Sequence, residues 1–182
     1  MRPIPKFQYH SPESLSEALS LLAELENSTP VIGGSDLMIA MRNGVIAPSH
    51  VVDLNEINEL NYIKEEDGVI KIGATATHTQ VANSPLVTQV HSLVDSLSRI
   101  GSPQIRNRGT ITGNICNASP AADAAPPLLV HGAEVEIQSL DGTRIIPIAD
   151  LFTGPKMNCL ETSELLTEIP SEAHLFLGSS SW

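Results

Sequence analysis

Apolar residues recur at helical spacing near the start of the chain. Leu15, Ala18, Leu19, Leu22 and Leu25 share one face, with Glu17, Ser20 and Glu24 on the other. Ser11-Pro12-Glu13 precedes this pattern and Asn27-Ser28-Thr29 breaks it, which predicts an amphipathic helix with defined ends. Pro30-Val31-Ile32 is a short apolar run, Gly33-Gly34-Ser35-Asp36 a turn, Leu37 to Gly44 helix-like, and His50-Val51-Val52-Asp53-Leu54 the next strand. Alternation of strand and helix builds a parallel sheet, so residues 1–55 are expected to form a small α/β lobe.

The pattern then changes. Tyr62-Ile63-Lys64 and Val69-Ile70-Lys71-Ile72 flank Glu65-Glu66-Asp67-Gly68, and Glu134 to Gln138 and Thr143 to Ile146 flank Asp141-Gly142, which predicts two β-hairpins. Between them Leu86, Val87, Val90, Leu93, Val94, Leu97 and Ile100 repeat at helical spacing up to Gly101, predicting one long helix. A short helix is expected to start near Asp123, with Pro126 and Pro127 in its first turn and Gly132 at its end. Residues 56–170 thus read as a larger α+β lobe with a mainly antiparallel sheet and flanking helices. Residues 171–182 match nothing periodic and are expected to form a poorly structured tail.

Composition narrows the functions available. The 182 residues, 41% hydrophobic and 17% charged, suit one globular unit or two small lobes sharing a cleft, not a disordered chain. A net charge of −11 removes the driving force for nucleic-acid or anionic-membrane binding, so any phosphate must be held by local geometry. Aromatics at 3% are too few for base-stacking platforms. Cys116 and Cys159 fit no zinc or iron–sulfur ligand spacing, so the chain is not expected to carry a metal cluster alone. No apolar run approaches the roughly 18–20 residues of a membrane span, and the first residues lack the apolar core of a signal peptide. The expected location is therefore cytoplasmic.

Candidate chemistry concentrates in two polar segments. Gly33-Gly34-Ser35-Asp36 lies between strand and helix, where backbone N–H groups converge on an anion and glycines admit a diphosphate; a plain tight turn fits these residues equally well. Neither Gly-x-x-x-x-Gly-Lys-Ser/Thr nor Gly-x-Gly-x-x-Gly is present, which weighs against kinase-like and simple NAD-binding sites. Arg106-Asn107-Arg108-Gly109-Thr110 through Gly113-Asn114 is either a second phosphate-and-ring loop or a polar turn whose arginines satisfy nearby carbonyls. Asp123 suits helix capping or a ribose contact. The six histidines are scattered and read as solvated, and the acidic group from Asp53 to Asp67 reads as a solvated face. Ser35 and Cys116 lack the frames of nucleophiles, so neither catalytic nor metal-binding residues are assigned; Cys116 is expected to pack beside a ligand.

In combination these segments carry a resemblance. Val31-Ile32-Gly33-Gly34-Ser35-Asp36-Leu37, Ile72-Gly73-Ala74-Thr75-Ala76-Thr77, and Ile105 to Asn114 followed by Asn117-Ala118-Ser119-Pro120-Ala121-Ala122-Asp123 occur in one order. Phe7-x-Tyr9-x-x-Pro12, Phe152-Thr153-Gly154-Pro155 and Glu164 to Ile169 accompany them. From about Phe7 to Ile169 the chain resembles the FAD-binding subunit of molybdenum hydroxylases. That family includes the medium subunit of aerobic carbon monoxide dehydrogenase and the flavin domain of xanthine dehydrogenase. Its fold is the two-lobed FAD-binding fold shared with vanillyl-alcohol oxidase.

The resemblance implies FAD as cofactor. It assigns Ile32, Gly33, Gly34, Ser35, Asp36, Leu37 and Met38 to the pyrophosphate side and Thr110, Gly113 and Asn114 to the second loop, with Thr75 a further cofactor-binding residue. Asp123 matches the residue holding the adenosine side, Leu166 an apolar FAD contact, and Ile115 and Cys116 positions near the flavin ring. The family reads Thr-Ile-Gly-Gly-Asn where this chain has Thr112 as the third residue. If that position needs a positive φ, a β-branched residue is strained there and FAD affinity falls. The resemblance also ends before the C-terminal domain of the family. The implied function is electron transfer through FAD, from iron–sulfur clusters on a partner subunit to an external acceptor, while a molybdopterin-binding subunit hydroxylates the substrate. A non-catalytic assembly module of the same fold, or a stand-alone flavin oxidase, are the alternatives.

Overall fold

Ser14 sets the first helix: its side chain accepts the Glu17 N–H, and Ala18, Leu19 and Leu22 then fall on one buried face. This helix, α1 (Leu15–Glu24), follows strand β1 (Gln8–His10) and precedes β2 (Ser28–Val31), α2 (Ser35–Asn43) and β3 (His50–Asp53). The strands form a parallel sheet of order β1-β3-β2, with Tyr9 opposite Val51 and Thr29 opposite the same residue on the other side. The expected α/β lobe is thus present. The computed structural model describes residues 3–172.

A 3-10 turn at Asn58–Leu60 leads into β4 (Ile63–Glu66) and β5 (Val69–Gly73), an antiparallel hairpin closed by Asp67 and Gly68, both at positive φ. Helices α3 (His78–Asn83), α4 (His91–Arg99), α5 (Pro103–Arg106), α6 (Ile111–Cys116) and α7 (Ala125–Val130) follow. Then come the hairpin β6 (Glu134–Ser139) and β7 (Gly142–Pro147), α8 (Ile148–Leu151), the short pair β8 (Phe152–Gly154) and β9 (Met157–Asn158), and β10 (Leu165–Glu172). The larger sheet has the order β4-β5-β10-β6-β7 and is antiparallel throughout, so β10 joins the two hairpins as its central strand. The α+β class holds, with one parallel and one antiparallel sheet.

The main core lies between this sheet and the helices, and contains Ile72, Leu93, Leu97, Ile111, Ile115, Leu128, Ile137 and Ile169. A second core joins α1 to Val52, Leu54, Ile57, Leu60, Ala74 and Leu165, so residues of both lobes share it.

Three expectations change. The helix read from Leu86 starts only at His91: the N–H groups of Val87 and Val90 bond three residues back to Ser84 and Val87, so successive turns precede it. Those two apolar residues are buried by turns instead of by helix. The Arg106 to Asn114 segment is not simply a loop, since α5 and α6 flank it, capped by Ser102 and Thr110. Regular structure also passes the boundary drawn at residue 170, because Ser171 and Glu172 belong to β10; the rest of the expected tail lies outside the described residues.

Candidate functional site

The two polar segments meet. A Cβ on Gly33 would stand 2.5 Å from the carbonyl oxygen of Arg108 and 2.9 Å from the Cα of Gly109, so only glycine lets the turn of the first lobe lie against the backbone of the second. Gly34 follows with φ +71°, the left-handed conformation that glycine adopts without strain, and serves as N-cap of α2 with no side-chain cap. The first N–H groups of α2, at Ser35, Asp36 and Leu37, therefore form an uncapped positive helix end beside this junction.

A groove opens along it. The glycine turn Ile32 to Gly34, with Leu37 and Met38 of α2, lines it together with the apolar Phe7, Val31 and Val51, while Tyr9, Asp53 and Arg108 supply the polar groups. The Tyr9 hydroxyl donates to Asp53 Oδ2 at 2.6 Å, and this bond holds the phenol above its ordinary pKa. Asp53 Oδ1 also accepts the Asn55 N–H at 2.9 Å. Arg108 is the one cation lining the groove, and its guanidinium has no hydrogen-bond or ion-pair partner among the described residues. The groove offers about 180 Å³, below the roughly 300–1,000 Å³ of a complete small-molecule pocket, a size for only one part of a dinucleotide.

The remaining predicted residues gather around α6. Thr110 is buried, and its hydroxyl accepts the Gly113 N–H at 3.0 Å, fixing the first turn of α6. Thr77 and Thr110 form an antiparallel bridge, which brings the segment carrying Thr75 alongside. Asn114 Oδ1 accepts the Ala124 N–H at 3.4 Å and so ties α6 to the residue following Asp123. Asp123 is exposed and does not cap α7, whose N-cap is Ala124; its backbone carbonyl accepts the Ser96 hydroxyl. Ile115 and Leu166 are buried in the main core, whereas Cys116 is half-buried at the end of α6. Burial pushes the Cys116 thiol up to about 12, which keeps it protonated at neutral pH. Its carbonyl accepts Asn158 Nδ2 at 2.7 Å.

Several readings are corrected here. Thr112 does not take a positive φ: it lies in α6, so the strain expected of a β-branched residue is absent. The histidines are not uniformly solvated. His78 is only 3% exposed, and burial, reinforced by the charge of Arg106, drives its imidazole down to about 4. His10 and His50 are half-buried and share a 3.1 Å hydrogen bond, and His131 bonds Ser92 at 3.0 Å. His174 lies outside the described residues. Arg106 follows the bland alternative, donating to the carbonyls of Ile100 and Gly101, and Arg99 pairs with Asp95. Asp53 is not part of a solvated face but of the groove, and Glu59 accepts the Leu15 N–H at the start of α1. Sequence patterning did not place Phe7, Tyr9 or Asp53 at the groove, whereas Arg108 belongs to the segment weighed as a second phosphate-and-ring loop. The signal for Arg108 was its place in a cluster of Arg and Asn beside glycines on a chain with only 10 Lys and Arg.

These features suit FAD. The uncapped end of α2 and the Arg108 guanidinium, brought together by the close contact at Gly33, match a diphosphate, and the Thr75 hydroxyl is buried with no partner of its own. Residues 5–170 match the family described as FAD binding domain in molybdopterin dehydrogenase. The nicotinate dehydrogenase FAD-subunit of Eubacterium barkeri is 38% identical over 90% of this chain and 57% of its own length. The carbon monoxide dehydrogenase medium chain of Hydrogenophaga pseudoflava is 34% identical over 91% of this chain and 58% of its own length. A solved carbon monoxide dehydrogenase chain from Hydrogenophaga pseudoflava superposes with a TM-score of 0.90 at 33% identity, covering 93% of this chain and 60% of that one. Quinoline 2-oxidoreductase from Pseudomonas putida 86 gives 0.90 at 29% identity. The chain thus spans somewhat under two thirds of the proteins it matches. With its glycine turn, second loop and two sheets in the family's order, this chain belongs to the FAD-binding domain family of molybdopterin dehydrogenases, whose cofactor is FAD.

Proposed function

We propose that the chain is the FAD-binding electron-transfer part of a molybdenum-containing hydroxylase or dehydrogenase, taking electrons from iron–sulfur clusters on a partner subunit and passing them to an external acceptor. A molybdopterin-binding partner would carry the substrate chemistry, and the assembly would be cytoplasmic. Support for the partners comes from the relatives, which are named FAD-subunits and medium chains of dehydrogenases. No helix among the described residues is long and apolar enough to cross a membrane.

The observation that carries the reading is the contact of Gly33 with Arg108 and Gly109, which sets two backbone turns and a cation around one groove. Bound FAD supplies the redox chemistry. The chain's own residues bind and orient it: Ile32 to Met38 and the α2 N–H groups at the diphosphate, Thr110, Gly113 and Asn114 of the second loop with Thr75 beside them, and Asp123 at the adenosine side. Ile115, Cys116 and Leu166 would line the flavin side. Ile115 and Leu166 have buried side chains and Cys116 a protonated thiol, so this side supplies packing and backbone groups rather than an acid or base.

Titration of the purified chain with FAD tests the reading. Saturation at about 100 times Kd is expected to stabilise the fold by about 2.7 kcal/mol, read as a rise in Tm with quenched flavin fluorescence. A chain that stays colourless and gains no stability is instead the assembly module. Bound FAD with oxygen consumption in the absence of partners indicates a stand-alone oxidase.

A further inference from the structure

Two buried hydroxyls lack partners where the second loop crosses the end of β5. Thr75 Oγ1 and Thr112 Oγ1 make no hydrogen bond, and their residues are 5% and 3% exposed. Buried hydroxyls are nearly always paired, because each left without a partner forfeits its bonds to water. Their placement is not independent. The segments are antiparallel, with Thr77 bridged to Thr110 and the His78 N–H donating to the Gly109 carbonyl at 2.9 Å. Two residues back along one segment and two forward along the other lead from the bridge to Thr75 and Thr112. Between them Ala76 and Ile111 enter the main core. Gly113 and Asn114 follow Thr112 directly, and the Ala74 N–H bonds the Thr167 carbonyl beside Leu166.

We infer that the Thr75 and Thr112 hydroxyls act together as hydrogen-bonding groups for a polar atom of FAD, with Thr112 adding a side-chain contact where the family has a glycine. The inference rests on the proposed FAD function. Its physical basis is that both hydroxyls are buried without a partner, one inside the loop assigned to the cofactor and the other on the segment bridged to it. Thr112 then strengthens cofactor binding instead of weakening it.

Thr112→Val keeps the shape and removes the hydroxyl. FAD affinity of the purified chain, followed by fluorescence quenching, is expected to fall about tenfold, the loss of roughly one hydrogen bond. The Tm without FAD is expected to hold or rise, since an unpaired buried group has gone. Thr112→Ser is expected to retain affinity within about threefold, and Thr75→Val to lose it as Thr112→Val does, with the double variant less than additive. If Thr112→Val fails to fold, Thr75→Val carries the same test. Unchanged FAD affinity in a folded Val variant overturns the inference, and means that the hydroxyls meet internal water only. Wild-type chain that binds no FAD overturns both this inference and the proposed function, whereas unaltered binding in the variants overturns this inference alone.

Discussion

His78 shows how a single side chain joins the two polar segments energetically. Its ring lies against Gly109, where a Cβ would come within 3.3 Å of Nε2, and Gly109 in turn lies against Gly33. Nδ1 is buried without a partner, and burial with the nearby Arg106 charge lowers the pKa from 6.5 to about 4. The unfolded chain therefore takes up a proton between about pH 6.5 and 4 that the folded chain refuses. Stability present above pH 6.5 is lost as pH falls through this window, by up to roughly 3 kcal/mol. Denaturation midpoints measured from pH 7 to 4.5 are expected to show this slope, and His78→Gln to flatten it above pH 5. An equal slope in both proteins rules the histidine out as its origin. Nothing in the local pattern identified His78, because its burial depends on Gly109, far along the chain. Gly33 and Gly34 were legible as a turn, but their close approach to Arg108 is a tertiary fact that no spacing encodes.

At the level of elements, legibility followed solvent contrast. Helix α1 has one buried and one wet face and a Ser14 cap, so its period and start could be read. The hairpins β4-β5 and β6-β7 alternate and turn at Asp67-Gly68 and near Asp141-Gly142. Helices α5 and α6 are too short to show a period, spanning Pro103–Arg106 and Ile111–Cys116. Strand β10 escaped for the opposite reason: Leu165 to Ser171 are all buried, so no alternation appears, and Pro170 resembles a terminator. Ile169 shows what this strand contributes. It is fully buried opposite Ile72, and Ile169→Ala is expected to cost about 2–5 kcal/mol in urea denaturation. A loss under 1 kcal/mol contradicts so tight a core at β10.

For the whole molecule, the order β4-β5-β10-β6-β7 makes one strand responsible for sheet continuity. Truncation after Glu164 leaves two hairpins without their shared neighbour and removes Leu165 from the core that α1 forms with Leu60 and Ala74. The expected result is loss of the cooperative thermal transition followed by circular dichroism; a retained sharp transition means that the helices hold the hairpins together unaided. The same topology orders events at the ribosome. Synthesis proceeds from the N-terminus at about 5–20 residues per second, so both hairpins and the loops of the groove emerge before the strand that belongs between them. Their β5 and β6 edges stay open for several seconds or longer, exposing unpaired backbone and apolar surface that another chain can pair with. Competence to hold a cofactor is therefore reached late, when β10 is inserted, and the nascent chain in this interval is the form most in need of a chaperone.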